Sequence, residues 1–264
     1  MKNRKILKRI AIISFIISVF IISDLFSQPV VGLDNWFNHE TNAETGKPFH
    51  YLWTDSAFSG YSRWGEIFTS MGAKITTIAK PYPAVLQKLS IYIIVDPDTT
   101  TESPKPNYIL SDDVASIAKW VAGGGVLAVL ANDGPNCEFT HLNMLMAQFG
   151  MRFKHVTLHP VTGDNFEMGA STNLPDHPLF KGVKKIYLKD ISDISLSGTA
   201  KSILTEKDKV LIAENKFGKG YVFAIGDPWI YNEYIEHDRL PESFDNRKAA
   251  ENLNGLLLSY TKKK

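Results

Sequence analysis

Apolar positions along this chain fall in short blocks whose period changes from one block to the next. A helix is expected over Tyr61–Met71, stopped at Gly72, and Lys74-Ile75-Thr76-Thr77-Ile78 then alternates as a strand does. Ile91-Tyr92-Ile93-Ile94-Val95 is apolar throughout, the pattern of a strand covered on both faces. Ser111-Asp112-Asp113 offers an N-cap, and Val114, Ile117, Ala118 and Val121 follow at helical spacing until Gly123-Gly124-Gly125. Val126 to Ala131 is a second fully apolar strand. Strand, helix and strand in this order form a βαβ unit, so the sheet is parallel there. A further helix is expected over Phe139–Phe149. Lys209–Ala213 and Tyr221–Ile225 flank Phe217-Gly218-Lys219-Gly220 as the arms of a hairpin. The last helix starts near Asp245, with Ala249, Leu253, Leu256, Leu257 and Tyr260 on one face and three lysines favouring its carboxyl end. Residues 28–50 show no period and read as an extended entry segment.

The amino end has a different pattern. Lys2, Arg4, Lys5, Lys8 and Arg9 precede an apolar stretch from Ile10 to Ile22, and Leu25-Phe26-Ser27 stands before Gln28. That is the arrangement of a cleavable signal peptide over residues 1–27. The stretch is shorter than the roughly twenty residues of a spanning helix, so an uncleaved anchor is the weaker alternative. The chain is expected to be exported, with the periplasm favoured over the medium, and residues 28–264 are read as one α/β domain. Cleavage takes five basic residues and one acidic residue from totals of 29 and 28, leaving a formal charge of −3. Nucleic-acid binding wants a basic surplus and is not expected. Cys137 is the only cysteine, which excludes an intrachain disulfide and a cysteine zinc cluster.

In an open α/β sheet, ligands bind beyond the carboxyl ends of the strands. Three expected strands end there in polar clusters. One gives Asp96-Pro97-Asp98 and then Glu102, Lys105, Asn107 and Tyr108. The next gives Asn132-Asp133-Gly134-Pro135-Asn136 with Glu138 and His141, and the last gives Gly226-Asp227-Pro228-Trp229 with Tyr231, Asn232, Glu233 and Tyr234. Each cluster also suits an ordinary turn or helix cap. Tryptophan and tyrosine beside carboxylates and amides suit a sugar, which offers apolar faces and hydroxyls together. Glu138 and His141 share a helix face at i, i+3, as an acid/base pair, as two cation ligands or as a solvated helix start. Asp96, Asp98 and Asp133 would suit an oxygen-loving cation, though no calcium-loop spacing is present and no cofactor is required. Arg63, in the aromatic segment around Trp53, Tyr61 and Trp64, could grip a carboxylate in two-pronged fashion. No nucleophile elbow, phosphate loop or dinucleotide fingerprint occurs.

The strings Tyr92-Ile93-Ile94-Val95-Asp96-Pro97-Asp98, Gly124-Gly125-Val126-Leu127, Asn132-Asp133, Phe166-Glu167-Met168-Gly169-Ala170 and Gly226-Asp227-Pro228-Trp229-Ile230-Tyr231-Asn232-Glu233-Tyr234 are longer than such short motifs. Together they resemble a glutamine-amidotransferase-like domain fused to some unsaturated glucuronyl and rhamnogalacturonyl hydrolases of polysaccharide-degrading Bacteroidetes. The resemblance spans nearly all of residues 34–260. It implies a flavodoxin-like, largely parallel sheet flanked by helices, with a carboxyl-terminal β-hairpin and helix. Stand-alone relatives are linked to ulvan breakdown, as dehydratases that convert a non-reducing-end uronic acid into a 4,5-unsaturated residue. The partner implied is thus an oligosaccharide with a terminal uronic acid. The cysteine of true glutamine amidotransferases is missing from its elbow, which speaks against amide hydrolysis. For a dehydratase, His141 and Tyr231 are the expected acid/base pair, with His50 and Tyr234 in reserve. Arg63, Asp96, Asp98, Lys105, Asn132, Asp133, Glu138, Trp229, Asn232 and Glu233 are the expected substrate-binding set, with Arg63, Lys105 or a divalent cation neutralising the uronate. A non-catalytic carbohydrate-binding module and a metal-dependent hydrolase are the competing readings.

Overall fold

The computed structural model describes residues 28–261. The expected signal peptide and the three terminal lysines lie outside them. The strands are β1 (Val30–Asp34), β2 (Lys74–Ile78), β3 (Ile91–Val95), β4 (Val126–Leu130), β5 (Met151–Phe153), β6 (Ala170–Ser171), β7 (Ile186–Tyr187), β8 (Ile194–Leu196), β9 (Lys201–Glu206), β10 (Lys209–Phe217) and β11 (Gly220–Ile225). The helices are α1 (Ser62–Ser70), α2 (Pro83–Leu86), α3 (Ser111–Ala122), α4 (Phe139–Met146) and α5 (Asn246–Thr261). Seven strands form the central sheet in the order β2-β1-β3-β4-β11-β10-β9. Its first five are mutually parallel, while β10 and β9 are added antiparallel through the Lys209–Ile225 hairpin. The architecture is therefore α/β with a mostly parallel sheet.

The β3-α3-β4 unit forms as its sequence predicts, with Ile91 beside Val126 and Val95 beside Leu130. Both strands are wholly buried because helices cover both faces. Ile91, Ile93 and Val95 pack with Trp64, Phe68 and Leu253 of α1 and α5. Tyr92 and Ile94, pointing the other way, pack with Leu86, Ile117, Val121 and Leu145 of α2, α3 and α4. Each fully buried aliphatic side chain is worth about 1.5–3 kcal/mol, so these two strands anchor the domain.

Three expectations change. Residues 28–50 are not merely an entry segment, because Val30–Asp34 forms β1 between β2 and β3. The slot is tight at Gly32: a Cβ there would sit 2.7 Å from Leu89 Cδ1 and 2.8 Å from Ile78 Cγ1, so those side chains would have to shift. The helix after β4 ends at Met146, and a single 3-10 turn, Ala147–Phe149, carries the chain to Gly150 in the left-handed region. The cap of α3 is Leu110, whose N–H is taken by the Asp113 carboxylate at 3.0 Å. Within residues 150–200, where no element is expected from the sequence, the small antiparallel pairs β5-β8 and β6-β7 form.

Candidate functional site

The strand order reverses between β1 and β3, and crevices of open α/β sheets form at such a reversal. Asp34 ends β1 and Asp96 follows β3, so two carboxylates flank this crevice. Asp34 closes its own turn: one oxygen accepts the N–H groups of Trp36, Phe37 and Asn38, and the other accepts the Tyr92 hydroxyl at 2.6 Å. Burial pushes its pKa up to about 6 against those donors. The loops are then tied across the crevice. Asn38 Nδ2 donates to the Asp96 carbonyl at 2.8 Å, and the Asp98 N–H donates to the Phe37 carbonyl at 2.9 Å.

Asp96 is the unusual member. It is 3% exposed, yet its Oδ1 has no hydrogen-bond partner, while Oδ2 accepts from Tyr51 Oη at 3.2 Å and Asn132 Nδ2 at 2.8 Å. The Asn132 amide is oriented by its own Oδ1, which accepts the Asp133 N–H. Desolvation first, then the negative charges of Glu102 and Glu40, hold the Asp96 pKa well above the usual carboxylate range. Its backbone has φ 38°, and the Tyr51 that reaches it and the adjoining His50 have φ 51° and 60°. Non-glycine residues in this region cost about 1–3 kcal/mol each and collect at functional sites. Gly60 lets the segment fold back: a Cβ there would lie 1.9 Å from the Asp55 carbonyl oxygen.

Three histidines on these loops and on α4 have Nδ1 close to a carboxylate oxygen: His39 with Asp98 and His50 with Glu40, both at 2.9 Å, and His141 with Glu138 at 3.1 Å. Only His50 makes a hydrogen bond there; the Nδ1 atoms of His39 and His141 are buried without a hydrogen-bond partner. His141 is partly exposed and stacks on Tyr108 at 4.5 Å. Its helix is docked by the Glu138 N–H on the Pro97 carbonyl, close to Asp96.

The other expected residues divide. Tyr231 does not lie on the rim. Its ring is fully buried and stacked on Trp64 at 5.0 Å, and its hydroxyl has no partner. Burial and Asp227 raise its pKa, so it is a neutral phenol. Burying the ring against Trp64 outweighs exposing it, so Tyr231 packs in the core cluster with α1 and α5, whereas His141 stacks on Tyr108. Tyr61 lies between Tyr231 and the crevice, donating to the Pro228 carbonyl at 2.7 Å and sensing both Asp96 and Asp227. Asn232 is buried with both amide atoms unpartnered, and Tyr234 packs edge-on against Tyr187 at 4.7 Å. Of Trp229 and Glu233 only the backbone is described, each opening a short 3-10 turn.

Asp133 serves its turn, accepting from Asn136 at 2.6 Å and Thr157 at 2.5 Å. Asp98 accepts from Ser103 Oγ at 2.5 Å and the His39 N–H. Among the described residues no group of three or more His, Cys, Asp or Glu side chains is arranged to hold a metal ion. Asp96, Asp98 and Asp133 thus do not form the oxygen cage that their sequence suggests. Cys137 is buried and its thiol is pushed up by desolvation, the opposite of what a nucleophile needs. Arg63 is exposed and pairs with Glu66, and Lys105 is exposed on the loop after β3. A cation the sequence reading missed is Arg239, stacked over the exposed ring of Phe58 at 4.3 Å. The Tyr51 N–H binds the carbonyl of Ser59, next to Phe58, so this pair belongs to the same loop segment as Tyr51.

No family model matches the chain, and no curated protein matches it. Among solved structures it is similar to the mmIFT52 N-terminal domain, with 12% identity and a TM-score of 0.63 over 87% of this chain and 97% of that one. It is similar also to a cytoplasmic protein from Salmonella typhimurium LT2, with 12% identity and a TM-score of 0.57 over 88% and 99%. The likeness is one of fold. At these identities it assigns no chemistry.

Proposed function

We propose that the chain is a carbon-oxygen lyase that removes water from a terminal uronic acid of an oligosaccharide, of the ulvan type, in a flavodoxin-like fold. The observation that carries the reading is Asp96: a buried carboxylic acid with one oxygen unpartnered, at the crevice between β1 and β3. A group held neutral in this way can protonate a leaving oxygen. The strand order from β2 to β4, reversing between β1 and β3, supports the flavodoxin-like assignment. The resemblance in sequence to domains fused to unsaturated uronyl hydrolases supplies the substrate class. The proposed setting is the periplasm of a cell that degrades such polysaccharides.

In the reaction a base takes the proton from C5, α to the carboxylate, and the C4–O bond breaks as an acid protonates that oxygen. Water leaves and a C4=C5 double bond remains, so atoms and charge balance. His141 is the base, with Glu138 3.1 Å from its Nδ1 and capping its backbone N–H. Asp96 is the acid in place of Tyr231; its Oδ1 is buried too, so the loops over it must part for the sugar to reach it. Negative charge grows on the substrate carboxylate during C5 abstraction, and a cation beside it lowers that barrier. Arg239 suits this task better than Arg63, which already has Glu66. Phe58 and Tyr108 offer ring faces to the sugar.

The test is to mix the purified protein with saturated oligosaccharides ending in glucuronic or iduronic acid, sulfated and unsulfated. Ultraviolet absorbance of the conjugated enoate together with the loss of one water by mass spectrometry supports the lyase. Binding without either change replaces it with a carbohydrate-binding module.

A further inference from the structure

We propose that Tyr51 and Asn132 are positioning residues that fix the acidic proton of Asp96 on Oδ1 and direct it at an acceptor oxygen of the ligand. The inference deepens the lyase reading and rests on it for the identity of that oxygen, though not for the placement of the proton. The Asn132 amide is an obligate donor toward Asp96, because its Oδ1 is committed to the Asp133 N–H at 2.8 Å. Tyr51 Oη donates to the same Asp96 oxygen. An oxygen receiving two donors is the carbonyl-type oxygen of a protonated acid, which leaves the proton to its partner. That partner, Oδ1, is buried and meets no protein acceptor. A buried polar atom left open marks a place where a ligand or water completes the bonding. A proton there selects a ligand that presents a hydroxyl, ether or carboxylate oxygen, and it disfavours an ammonium group.

The surroundings keep this geometry rigid. Asn38 holds the Asp96 carbonyl, and Tyr51 packs against Tyr61 at 5.3 Å. The charged and titratable groups facing Asp96 come from three loops: Glu40, Tyr51 and Tyr61 between β1 and α1, Glu102 after β3, and Cys137 before α4. Glu102 and Glu40 disfavour the ionised form, and the two donors favour it. Removing a donor therefore moves the titration of Asp96 up, not down.

The deciding experiment is a pH titration of the Asp96 carboxyl carbon by nuclear magnetic resonance in the full chain, with the signal assigned by Asp96→Asn. The wild type is expected to titrate above the ordinary carboxylate range. Tyr51→Phe, which keeps the ring, is expected to raise the midpoint further, by about 0.5–1 pH unit for one hydrogen bond. Asn132→Ala is expected to act in the same direction. A wild-type midpoint in the ordinary range, or an unmoved or lowered midpoint in Tyr51→Phe, overturns the inference. The titration uses no sugar, so a missing enoate in the oligosaccharide assay would remove the lyase and leave the proton placement standing.

Discussion

The β1/β3 crevice and the antiparallel edge of the sheet treat carboxylates in opposite ways. At the crevice between β1 and β3, Asp34, Asp96, Asp98 and Glu102 all have raised pKa values, and desolvation is the first cause for each. At the antiparallel edge, Glu206 and Glu214 are lowered. His159 bonds Glu206 at 3.1 Å with Ser171 Oγ at 2.5 Å, while His177 and the Tyr221 hydroxyl serve Glu214. Both regions contain histidine–carboxylate pairs. The difference lies first in burial: the half-buried acids at the edge are lowered by histidine and hydroxyl donors, whereas at the crevice desolvation outweighs the donors that Asp34, Asp96 and Asp98 also have. A paired histidine is therefore poor evidence for a site, and a buried acid with an unpartnered oxygen is better evidence.

The largest expected effect comes from removing that acid. Asp96→Asn keeps the shape and the Oδ2 acceptor but not the acidic proton, and turnover should fall by about 10²–10⁴-fold while the folded state persists in circular dichroism. His141→Ala should cost about 10²-fold in kcat, whereas Glu206→Gln at the opposite edge should leave kcat unchanged at a pH where the fold is intact. If the two substitutions reduce kcat equally, the distinction between the regions fails.

Stability against pH sharpens the contrast. The Asp34 pKa is raised from 3.8 to about 6, so its contribution is complete below pH 3.8 and is lost as pH rises through about 6. Over that window the loss approaches about 3 kcal/mol, and Asp34→Asn should flatten the corresponding slope in urea titrations. For Glu206 the sign reverses. Its lowered pKa gives stability that is present above 4.5 and disappears as pH falls through the folded-state value. Glu206→Gln should therefore lose less stability on acidification than the wild type, the smallest of these effects. Unchanged slopes in both variants would contradict the assigned causes.

The parallel core was legible because β3 and β4 are uniformly apolar and the helix between them has a clean period. β1 escaped notice because Val30-Val31-Gly32-Leu33-Asp34 is short and its glycine answers to Leu89 and Ile78, which are distant in sequence. Asp96, Asn132, Glu138 and His141 were legible as a rim cluster, since turn-forming polar residues follow buried strands. The depth of Tyr231 was not, because it depends on Trp64 being present across the fold. Tyr51 and Arg239 were also hidden. Their signal is a contact with Asp96 in one case and with Phe58 in the other, and no local period encodes either. Asp98 and Asp133 resembled ligands in composition, yet their donors, Ser103, Asn136 and Thr157, make them turn locks.

The most direct test of the central claim is a crystal structure of the Asp96→Asn variant soaked with an oligosaccharide that ends in glucuronic acid. The account predicts the terminal ring in the crevice between β1 and β3, its C4 oxygen within hydrogen-bond reach of the residue 96 side chain and its C5 facing His141 Nε2. A sugar seated instead in the cavity of about 500 Å³ lined by Pro83, Leu86 and Trp120, or one that enters the crevice by its reducing end, would contradict it.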